Sequence, residues 1–259
     1  MFDGNAPRAP LDSYNPSLND IGLDSARAVV PLLLSLLKPA SVIDVGCGPG
    51  NWLLAFLEAG VTDVFGVDQN DYGKDLRIDR TCFAVADLAS PFHADRTYDL
   101  VICVEVAEHL MPHAAPILVK SLTALGPVIL FSAAIPFQGG TDHRNEQWPE
   151  YWRDLFEQHA FVPVDCIRPK IWDDSRVAYW YTQNVILYVH RPHLTANPLL
   201  RAAKHPPSYP LSLVHPRLYL EKVTTTADAR FARRLRRVLG GLRRRLRAIF
   251  RNHTSYRTS

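Results

Sequence analysis

Three glycines at two-residue spacing, Gly46, Gly48 and Gly50, follow the apolar run Ser41-Val42-Ile43-Asp44-Val45 and precede a helical pattern over Asn51–Ala59. Strand, glycine turn, helix is a tightly constrained unit. The absence of side chains lets a ligand lie against bare backbone where the strand hands over to the helix. A dinucleotide fingerprint G-x-G-x-x-G would need glycine at position 51, which is Asn51, and no Lys-Ser/Thr pair follows the glycines to grip a nucleotide phosphate. The spacing is G-x-G-x-G instead.

The same alternation recurs along the chain. Helical spacing of apolar residues predicts a first helix over Leu18–Leu37 after a Pro-, Asn- and Asp-rich lead-in over 1–17. Apolar runs predict strands at Ser41–Val45, Asp63–Val67, Cys82–Ala86, Leu100–Val104, Val128–Ser132, Phe161–Ile167 and Thr182–Val189, with further helices over 113–124 and 150–159. Continuous apolar strands imply a sheet covered on both faces, so the expectation is an α/β fold with a seven-stranded, mostly parallel sheet and one antiparallel strand near its edge. Residues 168–181 read as a loop of aromatic and charged residues. Six prolines from Pro192 to Pro216 mark a linker over 192–225, which places the end of the domain (18–191) near 191.

The run Asp44-Val45-Gly46-Cys47-Gly48-Pro49-Gly50 resembles the first motif of class I S-adenosylmethionine-dependent methyltransferases, and the resemblance extends over roughly residues 40–190. It implies a Rossmann-like fold. It further implies that Gly46, Gly48 and Gly50 line the methionine part of the cofactor and that Asp44 helps hold its amino group. Asp68 closes the second strand 20 residues after Gly48, where its two acceptor oxygens suit a ribose diol. Asp87 follows the third strand, where family members contact the adenine amino group. Cys47, Gln69, Leu88 and Val104 complete the expected cofactor site, and each acid stands at the carboxyl end of an expected strand.

Glu105, Glu108 and His109 follow the fourth strand in a pattern resembling small-molecule O-methyltransferases of this class. A helix after Glu105 would set all three on one face. The polar segment Gln138-Gly139-Gly140-Thr141-Asp142-His143 reads as a substrate lip. His109 or His143 is the candidate base and Glu105 the residue that orients it or the substrate, for transfer to a hydroxyl of a small molecule or an envelope glycan. No metal is expected in this reading. Two alternatives stand beside it. Glu105, Glu108, His109 and His143 are also similar to the pattern of metal-dependent small-RNA 2′-O-methyltransferases, where two Glu and two His would hold a divalent ion. A non-catalytic module that binds a nucleoside is the other, and the complete set of glycines and acids argues against it.

Charge divides the chain. Residues 1–192 hold 14 Lys and Arg against 24 Asp and Glu, a balance of −10, whereas residues 193–259 hold 15 against 2, a balance of +13. An acidic body makes nucleic acid an unlikely partner for the catalytic domain. In the basic tail over 226–259, Phe231, Leu235, Val238, Leu239, Leu242, Leu246, Ile249 and Phe250 recur at helical spacing among ten arginines within 229–251. That is the pattern of a cationic amphipathic helix, which suits an anionic membrane surface. The N-terminus lacks a signal-peptide layout, the longest apolar run (Val29–Leu37) is broken by Pro31 and Ser35, and Cys47, Cys82, Cys103 and Cys166 stand singly. A cytoplasmic protein, peripheral at the inner face of the membrane, is the expectation.

Overall fold

The computed structural model describes residues 16–204 and 209–226. Helix α1 (Pro16–Leu37) leads into strand β1 (Ser41–Val45), helix α2 (Asn51–Glu58), β2 (Asp63–Asp68), β3 (Phe83–Val85) and β4 (Leu100–Val104). Helix α3 (Ala115–Leu125), β5 (Val128–Ser132), α4 (Pro149–Glu157) and β6 (Phe161–Val164) follow. Short helices α5 (Arg168–Ile171) and α6 (Tyr179–Asn184) then precede β7 (Ile186–His190), α7 (Arg191–Ala196) and α8 (Pro198–Ala202).

One seven-stranded sheet has the order β3-β2-β1-β4-β5-β7-β6. Strands β1 to β5 pair in parallel, and β7 runs antiparallel to both β5 and β6. Every residue of β1, β4 and β5 is buried, which explains the unbroken apolar runs that mark them in sequence. Side chains alternate between two cores. Val42, Leu100, Ile102 and Leu130 join Leu33 of α1 and Phe56 of α2 on one face. On the other, Ile43, Val101, Cys103 and Ile129 join Leu122 of α3 and Phe156 of α4. Burying a side chain of this size contributes about 1.5–3 kcal/mol, so both layers are needed to hold the central strands between helices.

Register sets the site. Asp44 on β1 lies opposite Gly66 on β2 and Ile102 on β4, and Asp68 lies opposite Val85. The carboxyl ends of β1, β2 and β4 therefore open side by side, at the point where the chain crosses from one half of the sheet to the other. Ligands of open α/β sheets bind in that crevice.

Three expectations need correction. Thr182–Asn184 is not strand: these polar residues form the end of α6, and β7 starts only at Ile186. The segment 168–181, read as a loop, carries α5 and the start of α6, and β6 stops at Val164 instead of running to Ile167. The linker expected from 192 begins inside α7, and Leu194, Leu200 and Leu211 are buried. Pro192 and Pro198 sit in the first turns of α7 and α8, where a missing N–H costs nothing. The compact unit of the sheet thus runs to His215, and a second begins at Pro216, of which residues 216–226 are helical. The lead-in up to residue 15 and the basic amphipathic stretch 229–251 lie outside the described residues.

Candidate active site

Between β1 and α2 the backbone turns through left-handed φ angles of 80° at Gly46, 56° at Gly48 and 95° at Gly50. Any other residue is strained there. The loop is drawn down onto β2 by two bonds, from the Gly46 and Cys47 amides to the Val67 carbonyl at 2.7 and 3.1 Å. A Cβ at position 46 would stand 2.3 Å from Val106 Cγ2, so the approach of the loop to the segment after β4 also depends on glycine. Cys47 is buried beneath the loop, and Val104 is buried at the end of β4.

Asp44 is 1% exposed, and neither carboxylate oxygen has a hydrogen-bond partner. Burial, reinforced by the neighbouring Asp68, pushes its carboxyl well above the usual carboxylate range. A buried acid with two open oxygens calls for a cationic donor. Asp68, 6% exposed, accepts from the Gly48 amide through Oδ2 and from the Asn70 amide through Oδ1, each at 2.9 Å. Burial raises its carboxyl too, against the pull of these backbone donors. Asp68 therefore ties the glycine loop to the carboxyl end of β2. These residues suit an S-adenosylmethionine molecule, whose amino group would meet the open oxygens of Asp44, whose ribose would meet Asp68 and whose methionine chain would lie on the bare backbone of the glycines. Asp87 is exposed and folds back on its own turn, accepting from the Ala89 amide at 3.0 Å and the Ser90 hydroxyl at 2.7 Å. Gln69 is exposed and Leu88 is core.

The second half of the site follows β4. Glu105 adopts φ 54°, with its amide donating to both the carbonyl and the hydroxyl of Ser132 at 3.0 Å. That left-handed residue prevents a helix from starting, and Ala107–His109 makes only a single 3₁₀ turn. The common helical face expected for 105, 108 and 109 is therefore absent. Glu108, His109 and His143 nevertheless converge, with one nitrogen or oxygen from each lying within 4.8 Å of the others. The two imidazole rings meet edge to face at 5.0 Å. Glu108 is fully buried, and burial beside Glu105 pushes its carboxyl well above the usual range. Burial, with His143 adding to it, holds His109 below the usual imidazole range, so it is neutral at neutral pH.

Residues that sequence reasoning missed complete the picture. His143 Nδ1 lies 2.9 Å from Glu146 Oε1, and Glu146 is itself held by the amides of Gly139 at 2.6 Å and Phe137 at 2.8 Å. Since an ionised carboxylate only accepts, Nδ1 carries the proton and Nε2 is left as an acceptor. Glu105 is held instead by amides: Asn184 donates to Oε1 at 3.1 Å and Gln138 to Oε2 at 3.4 Å. Tyr181, packed edge to face on Trp52 at 5.5 Å, has its phenol pushed well up by burial, with the neighbouring Glu105 and Asp44 adding to it. It links the two halves of the site. Glu146 stands three residues after His143, a spacing visible in sequence; the amides give no such signal.

Comparison with known proteins agrees with the fold. A sugar N-methyltransferase from Streptoalloteichus sp. ATCC 53650 shares the fold at a TM-score of 0.52 and 15% identity, over 74% of this chain and 96% of that one. The magnesium protoporphyrin IX methyltransferase of Synechocystis PCC 6803, solved with bound SAH, is similar at a TM-score of 0.48 and 18% identity, over 68% and 87% of the two chains. A short stretch of 31 residues is 61% identical to the ribosomal RNA large subunit methyltransferase E of Caulobacter sp. (strain K31), covering 12% of this chain and 14% of that protein. Residues 23–165, which carry the glycine loop, the three strand-end acids and the Glu105–His143 cluster, match the methyltransferase-domain family. The chain belongs to that family, and it is an S-adenosylmethionine-dependent class I methyltransferase.

Proposed function

We propose that the methyl group goes to a hydroxyl of a small molecule or glycan, and that His143 takes the hydroxyl proton. The observation that carries this reading is the His143–Glu146 pair, which leaves Nε2 as the free acceptor nitrogen. When bound, S-adenosylmethionine supplies an electrophilic methyl on its sulfonium sulfur. An amine acceptor needs little help beyond alignment, whereas a hydroxyl gains from a base beside it. Glu146 fixes the tautomer of His143, and neutral His109 packs against the ring and limits its rotation. Glu105, half-buried and held by two amides, accepts a hydrogen bond from the acceptor and orients it. Mass spectrometry of metabolite and cell-envelope extracts incubated with the protein and isotopically labelled cofactor tests this proposal. A labelled hydroxyl product that fails to form with His143→Ala supports it, and a labelled amine product formed equally by that variant refutes it.

One observation favours a second reading. The convergence of Glu108, His109 and His143 offers a divalent ion three ligands. An ion there would lower the hydroxyl pKa as the metal-dependent 2′-O-methyltransferases require. Loss of activity in excess EDTA with recovery on adding Mn²⁺ would establish it; unchanged activity would exclude it.

We further propose an anionic membrane surface as partner of residues 229–251, on the strength of their apolar stripe and ten arginines. Among the described residues no helix is long and apolar enough to cross a membrane. Flotation with vesicles containing anionic lipid should be lost on removing residues 226–259 while cofactor affinity stays the same; equal flotation refutes it.

A further inference from the structure

Behind Glu105 lies a buried set of three carboxamides, Gln138, Gln183 and Asn184, whose hydrogen bonds to a charged side chain all go to Glu105. Carboxamides can be turned either way round, and reversal would swap donors for acceptors against the carboxylate. Two backbone amides remove that freedom. The His215 N–H, which can only donate, points at Gln183 Oε1 at 2.8 Å, and the Ile135 N–H points at Gln138 Oε1 at 3.3 Å. With its oxygen pinned, Gln183 must present its NH₂ forward, where it donates to Asn184 Oδ1 at 2.9 Å and Gln138 Oε1 at 3.0 Å. Asn184, its oxygen now occupied, turns its own NH₂ to Glu105 Oε1 at 3.1 Å and to Gln138 Oε1 at 3.0 Å. Gln138 turns its NH₂ to Glu105 Oε2. Polarity is thus passed from the backbone of residue 215 through three side chains, and both ends arrive at the carboxylate as donors.

We infer that Gln183 is a positioning residue for Glu105: clamped by the His215 N–H, it dictates that Asn184 faces the carboxylate with its N–H group, beside the Gln138 N–H that the Ile135 amide orients. The inference rests on the reading that Glu105 faces the acceptor and extends it. A carboxylate has about four lone-pair directions. Two are filled by the amides, the Ser132 and Glu108 side chains lie against the same carboxylate, and a direction left over would accept a hydrogen bond from the acceptor's O–H or N–H. Of the neighbouring pair Glu105 and Glu108, only Glu105 receives side-chain amide donors among the described residues.

A double-variant cycle on the full-length protein at pH 8 tests the polarity directly. Gln183→Glu keeps an oxygen for the His215 N–H but sets a second oxygen against Asn184 Oδ1 and Gln138 Oε1. Asn184 must then reverse and point its oxygen at Glu105. The melting temperature should fall by about 4–8 °C, the shift that loss of one or two buried hydrogen bonds produces in a chain of this size. Adding Glu105→Gln supplies an NH₂ for the reversed Asn184, so the double variant should melt above the value expected from summing the two single losses. If Gln183→Glu fails to fold, recovery of a folded double variant is the expected result. Additive losses, or a double variant no better than Gln183→Glu, would overturn the inference, because a packing role gives additivity. The cycle is read without any acceptor. Methyl transfer by Glu105→Gln tests the catalytic reading separately: an active Glu105→Gln protein would sink that reading and leave the cycle untouched.

Discussion

Asp44 is a buried acid with no partner, and replacing it by Asn should separate stability from cofactor binding. In the protein without ligand, its folded-state pKa is raised by burial and by Asp68. A raised acid contributes stability that is fully present below its unfolded value, near 3.8, and is lost as pH rises toward the folded value. Within that window the native state holds a proton that the unfolded chain has released, so wild-type stability declines by up to about 1.4 kcal/mol per pH unit from this residue alone. The carboxamide of Asp44→Asn has no proton to lose. The variant should therefore match wild type near pH 4 and exceed it by about 1–3 kcal/mol at pH 6–8, the penalty of an unsatisfied buried charged group. Other buried acids such as Glu108 contribute equally to both proteins and cancel in the difference. Urea unfolding of the apo proteins at pH 4, 5, 6 and 8 measures it. Calorimetry with S-adenosylhomocysteine, which retains the amino group, should show affinity at pH 8 reduced at least about tenfold in the variant, since a charge-assisted bond is gone. Parallel pH curves for the two proteins, or undiminished affinity in Asp44→Asn, would refute the reasoning.

Asp68→Ala should weaken S-adenosylhomocysteine binding by about 1–3 kcal/mol through loss of the ribose acceptor and of the Gly48 tie; an unchanged dissociation constant refutes the assignment. Glu146→Gln should lower kcat for the labelled acceptor while leaving cofactor affinity intact, because it loosens only the His143 tautomer, and an unaltered kcat would remove Glu146 from the account. Arg168→Met strands Asp165 in the core, where the pair stands at 2.6 Å and the guanidinium also donates to the Gln183 and Leu211 carbonyls. Urea unfolding should show a loss of about 3–5 kcal/mol, and a loss under about 1 kcal/mol would contradict that picture.

Features fixed by local backbone chemistry were legible in the sequence. The glycine loop, the five parallel strands and the strand-end acids Asp44 and Asp68 follow from periodicity and φ requirements that do not depend on tertiary partners. Features decided by tertiary contacts were not. Thr182, Gln183 and Asn184 adjoin the apolar residues of β7 and look like its beginning, yet Gln183 and Asn184 belong to the amide set behind Glu105, and only α6 places them there. The prolines at 192 and 198 carry the same signal in a linker as at a helix start. Which reading holds depends on Leu194 and Leu200 finding a core to enter. Glu105 was read as opening a helix, but two bonds to Ser132 hold it left-handed instead. Asp87 shows the reverse case: its place in the motif is clear, while its carboxylate serves its own turn.

The central claim is that the cofactor lies on the glycine loop against Asp44 and Asp68. Calorimetric titration of S-adenosylhomocysteine into the full-length protein and its Gly46→Ala variant tests it most directly, because the added Cβ would stand 2.3 Å from Val106 at a left-handed position. Saturable one-site binding to wild type, weakened at least about tenfold in a variant that still unfolds cooperatively, is the predicted result, since strain of about 1–2 kcal/mol adds to the steric shift of the loop. Equal affinity in the two proteins, or no saturable binding to wild type, would contradict it.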